Sequence, residues 1–152
     1  RKSVIEFLNF TKEEKIPIII LSAGIGNTIE EMLKQNSCYF ENIHIISNFI
    51  KFDNKGYMLK YEGDLIHSLN KNIDEINQKE IIDVIKSKEY RVVIGDLIED
   101  IKMAGDYPEE KLIKIGFLNQ NVKENLKKYK EKFDIVLTKE SQDFKKIKEI
   151  VK

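Results

Sequence analysis

The chain has 152 residues, 41% hydrophobic and 34% charged, which fits one ordinary folded domain and excludes a disordered tail. Its 26 basic and 26 acidic residues cancel to a formal net charge of zero. That balance supplies no pull toward nucleic acid or an anionic membrane surface, so neither is an expected partner.

Cys38 is the single cysteine, so an intramolecular disulfide is excluded and a reducing, cytoplasmic setting is favoured. His44 and His67 are the only histidines, too few with one Cys for a Cys/His zinc site. No apolar run reaches the roughly 18 residues that a membrane span needs, and no signal peptide opens the chain. Arg1 rather than Met comes first, and the first element reads as a mid-domain helix. The expectation is a segment of a longer protein.

Val4, Ile5, Leu8 and Phe10 predict the end of an amphipathic helix. Pro17 precedes a continuous apolar run at 18–21, the pattern of a strand buried on both faces. Ser22-Ala23-Gly24-Ile25-Gly26 reads as the turn that ends it. Thr28 and Glu31 have capping-box spacing ahead of a helix carrying Ile29, Met32 and Leu33. A second strand is predicted at 44–47. Strands at 49–52 and 57–61 flank Asp53-Asn54-Lys55-Gly56, a hairpin signal. A helix at 79–86 carries Ile81, Ile82, Val84 and Ile85. A third buried strand at 91–94 ends at Gly95-Asp96, with a helix near 99–104. Strands at 114–118 and 134–138 follow, with helices near 122–132 and 143–151. The Lys-rich stretches of those two helices interleave with Glu at helical spacing, as on a solvated face.

Strands alternating with helices predict an α/β fold: a layered, mostly parallel sheet with crossover helices, in a single domain over 1–152. Ligands of such sheets gather at the strand carboxyl ends. Two of the apolar runs stop there at residues suited to phosphate or metal.

Ser22 directly follows the first run. Its hydroxyl can donate to a phosphoryl oxygen, and the N–H groups of Ala23 and Gly24 can converge on the same anion. The following helix presents its positive end there. A plain strand-to-helix turn would also need this glycine. Asp96 lies at a strand tip, where a carboxylate can bind a hard cation such as Mg²⁺. Asp100 is one helical turn on and can face the same ion, while Glu99 points about 100° away, toward solvent. The alternative makes Asp96 a helix cap and its neighbours dipole-favoured acids. Lys71, between hairpin and helix, can neutralise a phosphoryl group or remain an exposed loop lysine. His44, His67, Asp53, Asp64 and Cys38 receive no catalytic assignment.

The order strand-Ser, then Lys, then strand-Gly-Asp-x-x-x-Asp resembles motifs two, three and four of the haloacid dehalogenase superfamily of phosphatases. IPIIILSAGIGNTIEEML, ISNFIKFDNKGYMLKYEGDLIHSLNKN and IGDLIEDIKMA followed by KIGFLN are similar to the cytosolic pyrimidine 5′-nucleotidase family. The likeness runs from about Phe7 to Val151. It implies a phosphate-binding role for Ser22 with the backbone of Ala23 and Gly24, and phosphoryl stabilisation by Lys71. It implies Mg²⁺ binding by Asp96, supported by Asp100. Between these acids the family commonly has Ser-Gln-Gly, where this chain has Leu97, Ile98 and Glu99.

The resemblance further implies an Asp-x-Asp pair on a first strand. Its first Asp attacks phosphorus to give an aspartyl-phosphate, and its second is the general acid and base. This chain carries no such pair on an apolar strand. Asp134 lies at the start of its strand and has no Asp two residues on. In this superfamily the first strand is central, between the strands ending at Ser22 and Asp96, and a helical cap follows it. The family therefore implies a three-layer core whose central strand and cap lie outside these residues, leaving two edges to be filled by more N-terminal chain or a partner segment. The expected activity is hydrolysis of pyrimidine nucleoside 5′-monophosphates, with the segment alone inactive or nearly so. Two rivals are a phosphatase of the same superfamily with another substrate and a non-catalytic binding domain.

Overall fold

The computed structural model describes residues 2–67, 70–75, 78–138 and 144–151. The chain divides into two compact units, Arg1–Lys71 and Asn72–Lys152. Among the described residues, no helix is long and apolar enough to cross a membrane.

The first unit opens with helix α1, Lys2–Glu13, which buries Phe7, Leu8 and Phe10. Buried Thr11 satisfies its hydroxyl by donating to the Leu8 carbonyl at 2.9 Å. Strand β1, Ile18–Ile25, pairs in parallel with β2, Ile43–Asn48. Ile18 stands opposite Ile43, and the register holds to Leu21 opposite Ile46. It then breaks and resumes at Ile25 opposite Asn48, four steps along β1 against two along β2. The residues expected as a turn at 22–26 are therefore mostly an irregular continuation of the strand.

Helix α2, Gly26–Gln35, starts two residues before the expected cap. Its N-cap is Ile25 with no side-chain cap bond, so the Thr28–Glu31 capping box does not form. Thr28 already lies inside the helix. Glycine is required at the first helical position, because a Cβ on Gly26 would lie 2.6 Å from the Phe49 ring. Strands β3, Ile50–Phe52, and β4, Met58–Tyr61, form the expected antiparallel hairpin.

The apolar run of β1 is half-buried at Ile18, Ile19, Ile20 and Leu21, against the expectation of burial on both faces. Among the described residues β1 has one strand neighbour, β2, and helix α2 packs against it, so its side chains are only partly covered.

The second unit holds helix α3, Lys79–Lys86, and a three-stranded parallel sheet. Strand β5, Arg91–Gly95, pairs with β6, Leu112–Leu118, which pairs with β7, Ile135–Thr138. Helix α4, Val122–Lys130, packs on β6 and β7, and helix α5, Phe144–Ile150, closes the described chain. Central β6 carries the core: Ile115 is fully buried, and Leu118 packs with Tyr129 and Phe133. Gly116 is required beside Phe133, because a Cβ would lie 2.6 Å from that ring.

The helix expected near 99–104 is a 3-10 segment, Ile98–Ala104. Its ends are three-residue turns, Asp100 N–H to the Leu97 carbonyl and Gly105 N–H to the Lys102 carbonyl, both 3.1 Å. The expected start of the last helix at 143 lies outside the described residues.

Candidate phosphate and metal sites

In the first unit, Ser22 sits where β1 leaves its ladder. Its Oγ accepts the Gly24 N–H at 3.1 Å, and a Cβ on Gly24 would come within 3.3 Å of that oxygen. Ala23 and Gly24 are exposed. Two side chains from the end of β2 hold their carbonyls. Ser47 Oγ donates to the Gly24 carbonyl at 2.8 Å, and Asn48 Nδ2 to the Ala23 carbonyl at 2.9 Å. Side chains thus replace the ladder across the register break, keeping the exposed turn in one conformation.

Asn48 also reaches the segment that leads to Lys71. Its Nδ2 donates to the Ile66 carbonyl at 2.8 Å, and its Oδ1 accepts the Ile66 N–H at 2.7 Å. Asn70 then closes the loop on itself, accepting the His67 N–H at 2.7 Å and donating to the Leu65 carbonyl at 3.0 Å. Lys71 follows, half-buried. Ser22, Ala23, Gly24 and Lys71 therefore belong to one compact unit.

In the second unit, β5 ends at buried Gly95 and exposed Asp96. Asp100 is buried at 4% exposure. One carboxylate oxygen, Oδ2, accepts the N–H groups of both Asp96 and Leu97 at 3.1 Å. The N-cap is therefore Leu97, not Asp96 as the alternative reading had it, and Asp100 at the third position accepts the Leu97 N–H. Gly95 makes room for Asp100, since a Cβ at 95 would collide with the Asp100 Cβ. The Tyr129 hydroxyl, on α4, donates to the Asp96 carbonyl at 2.7 Å. Burial raises the Tyr129 phenol above its usual value, and the charges of Asp96, Glu99 and Asp100 add to that rise.

Asp96 and Asp100 are thus brought together at one strand tip, with Glu99 exposed as expected. Among the described residues, no group of three or more His, Cys, Asp or Glu is placed to hold a metal. Two carboxylates nevertheless suit Mg²⁺, which takes one or two with water and phosphate oxygens completing its shell. The oxygen-only donor set and the backbone-oriented Asp100 fit that ion. Asp134 plays a structural part, since its Oδ2 accepts the Lys114 N–H at 2.7 Å.

Sequence reasoning missed Ser47, Asn48, Asn70 and Tyr129 as supports. The polar Ser47-Asn48 pair ending an apolar strand is a local signal for the first two. Tyr129 carries none, lying in a Lys-rich helix read as solvated.

A family model described as pyrimidine 5′-nucleotidase (UMPH-1) matches residues 1–152. The chain is 37% identical over 135 residues to a 7-methylguanosine phosphate-specific 5′-nucleotidase of Homo sapiens, covering 88% of this chain and 45% of that protein. It is 36% identical over 134 residues to the protein of the same description in Drosophila melanogaster, covering 87% and 42%. A crystal structure of cytosolic 5′-nucleotidase IIIB bound to cytidine superimposes with a TM-score of 0.81 at 34% identity, covering 93% of this chain and 48% of that one. The chain spans about half the length of the curated relatives it matches.

Proposed function

This chain belongs to the pyrimidine 5′-nucleotidase family UMPH-1, and from that premise we propose that it is the phosphate- and metal-binding portion of a cytoplasmic, Mg²⁺-dependent 5′-nucleotidase. The substrate class is nucleoside 5′-monophosphates, pyrimidine ones first, cleaved to nucleoside and inorganic phosphate. The carrying observation is made in each unit by itself. Strand β1, paired in parallel with β2, carries Ser22 with the exposed Ala23 and Gly24 in its carboxyl-end half. Strand β5, paired in parallel with β6, is followed directly by the Asp96–Asp100 pair. Carboxyl ends of parallel strands are where α/β sheets bind ligands.

In this reading the Ser22 hydroxyl and the Ala23 N–H hold the phosphoryl oxygens, while the Gly24 N–H, which donates to Ser22 Oγ, orients that hydroxyl. The Lys71 ammonium offsets the charge that builds on them during transfer. Asp96 and Asp100 hold the cation, with Asp100 set by the two backbone N–H groups it accepts. Bound Mg²⁺ supplies Lewis-acid neutralisation of the phosphoryl charge. The nucleophilic aspartate and the general acid come from an Asp-x-Asp strand in sequence outside these residues, by way of an aspartyl-phosphate. A three-layer haloacid dehalogenase-like core that includes this strand is the architecture proposed for the longer protein. Membranes and nucleic acid have no part in this scheme.

The test is phosphate release by the full-length gene product with Mg²⁺. The panel holds CMP, UMP, 7-methylguanosine monophosphate and a non-nucleotide phosphate monoester. Expected is turnover of the pyrimidine nucleotides that falls about 10²-fold or more in Ser22→Ala and in Asp96→Asn. Turnover of the non-nucleotide ester alone would mean a phosphatase with another substrate. A folded, inert protein would mean a binding domain. Turnover by the 152 residues alone, lost in Ser22→Ala, would place the nucleophile within them.

A further inference from the structure

Asn48 is the last residue of β2, yet it is only 8% exposed. A buried amide is costly unless its hydrogen-bonding groups are matched. Here they are: Nδ2 donates to two carbonyls, of Ala23 and Ile66, and Oδ1 accepts the Ile66 N–H. All three partners are backbone, and they lie on segments far apart in sequence. One partner belongs to the phosphate turn. The other precedes Lys71 by five positions, in a loop that Asn70 pins again at Leu65 and His67.

Resting on the phosphatase reading above, we propose that Asn48 is a positioning residue that couples the phosphate turn at 22–24 to the loop carrying Lys71. A side chain needed only to fill space would be replaceable by leucine, which has nearly the same shape. A side chain needed for coupling would not be. Without the amide, the Ala23 carbonyl loses its tie, and both backbone groups of Ile66 lose their partner. The turn and the lysine loop then move independently. Groups that must converge on one phosphoryl unit are sensitive to such motion, and a displacement of about 1 Å can cost about 10²-fold in rate.

The experiment uses the full-length protein with Asn48→Leu and Asn48→Asp, each alone and combined with Lys71→Ala. Asn48→Leu removes all three bonds, while Asn48→Asp keeps the acceptor for the Ile66 N–H. Expected is a fall in kcat/KM of about 10²-fold for Asn48→Leu, mostly in kcat. In the Lys71→Ala background the same change should cost less than about 3-fold, because the lysine it positions is gone. Amide exchange at Ile66 should rise in Asn48→Leu and stay low in Asn48→Asp. Full additivity of the two substitutions, parental activity in Asn48→Leu, or unchanged exchange at Ile66 would each overturn the proposal. If Asn48→Leu does not fold, Asn48→Asp carries the cycle, and additivity there overturns it equally. Failure of the phosphatase reading looks different: Lys71→Ala and Ser22→Ala would be silent, while the exchange at Ile66 would still respond to Asn48.

Discussion

Gly95 and Asp100 form a pair in which each residue type explains the other. Asp100 folds back to accept the N–H groups of Asp96 and Leu97, and its Cβ then occupies the space where a side chain at 95 would begin. Gly95→Ala should therefore cost about 1–3 kcal/mol, because the clash is with a Cβ that cannot rotate away. Urea unfolding of the full-length protein measures it. Removing the obstacle in a Gly95→Ala, Asp100→Ala double variant should recover part of that loss, so the two costs should be less than additive. Simple additivity would show that the backbone at 95 yields instead. The sequence shows Gly-Asp-x-x-x-Asp as a possible cation grip. It does not show that the second acid is buried and oriented by main chain, because that depends on how the turn after β5 closes.

At the scale of elements, every observed strand overlaps one expected from apolar runs and turn residues. The hairpin shows why. Asp53 Oδ1 accepts the N–H groups of Lys55 and Tyr57 at 2.8 Å, and Gly56 supplies the positive φ of +85° that the turn needs. Local chemistry of that kind is written in adjacent residues. Asp53→Ala should leave β3 and β4 paired but raise amide exchange at Lys55 and Tyr57, a local loss of about 1 kcal/mol. Unchanged exchange at both would mean that Gly56 alone holds the turn. Where the expectations failed, a distant contact decided. Phe49 packs where a side chain at Gly26, the first residue of α2, would begin, and Ser47 and Asn48 donate to carbonyls of β1 past its apolar run. The 3-10 form of Ile98–Ala104 likewise accompanies the buried Asp100, which no helical period reveals.

For the molecule as a whole, the burial of β1 is the informative quantity. Four consecutive aliphatic residues, Ile18 to Leu21, reach only half-burial beside one strand neighbour. Such runs are typical of strands inside a sheet whose two faces are both covered. If a further strand completes the sheet, backbone amides on the outer edges of β1 and β5 should exchange fast in the isolated 152 residues. In the full-length protein they should be protected. Equal exchange in both would remove the missing-strand reading while leaving the family assignment intact. The sequence by itself determined the strand and helix periods and the glycines at the turns, which follow from local sterics. Its resemblance to a known family singled out Ser22, Lys71, Asp96 and Asp100 as the site proposed. Only the tertiary structure decided how the two grips are held, with Asn48 joining the 22–24 turn to the lysine loop and Asp100 buried against Gly95. The first depends on a side chain meeting backbone far from it in sequence, and the second on how the short turn after β5 closes.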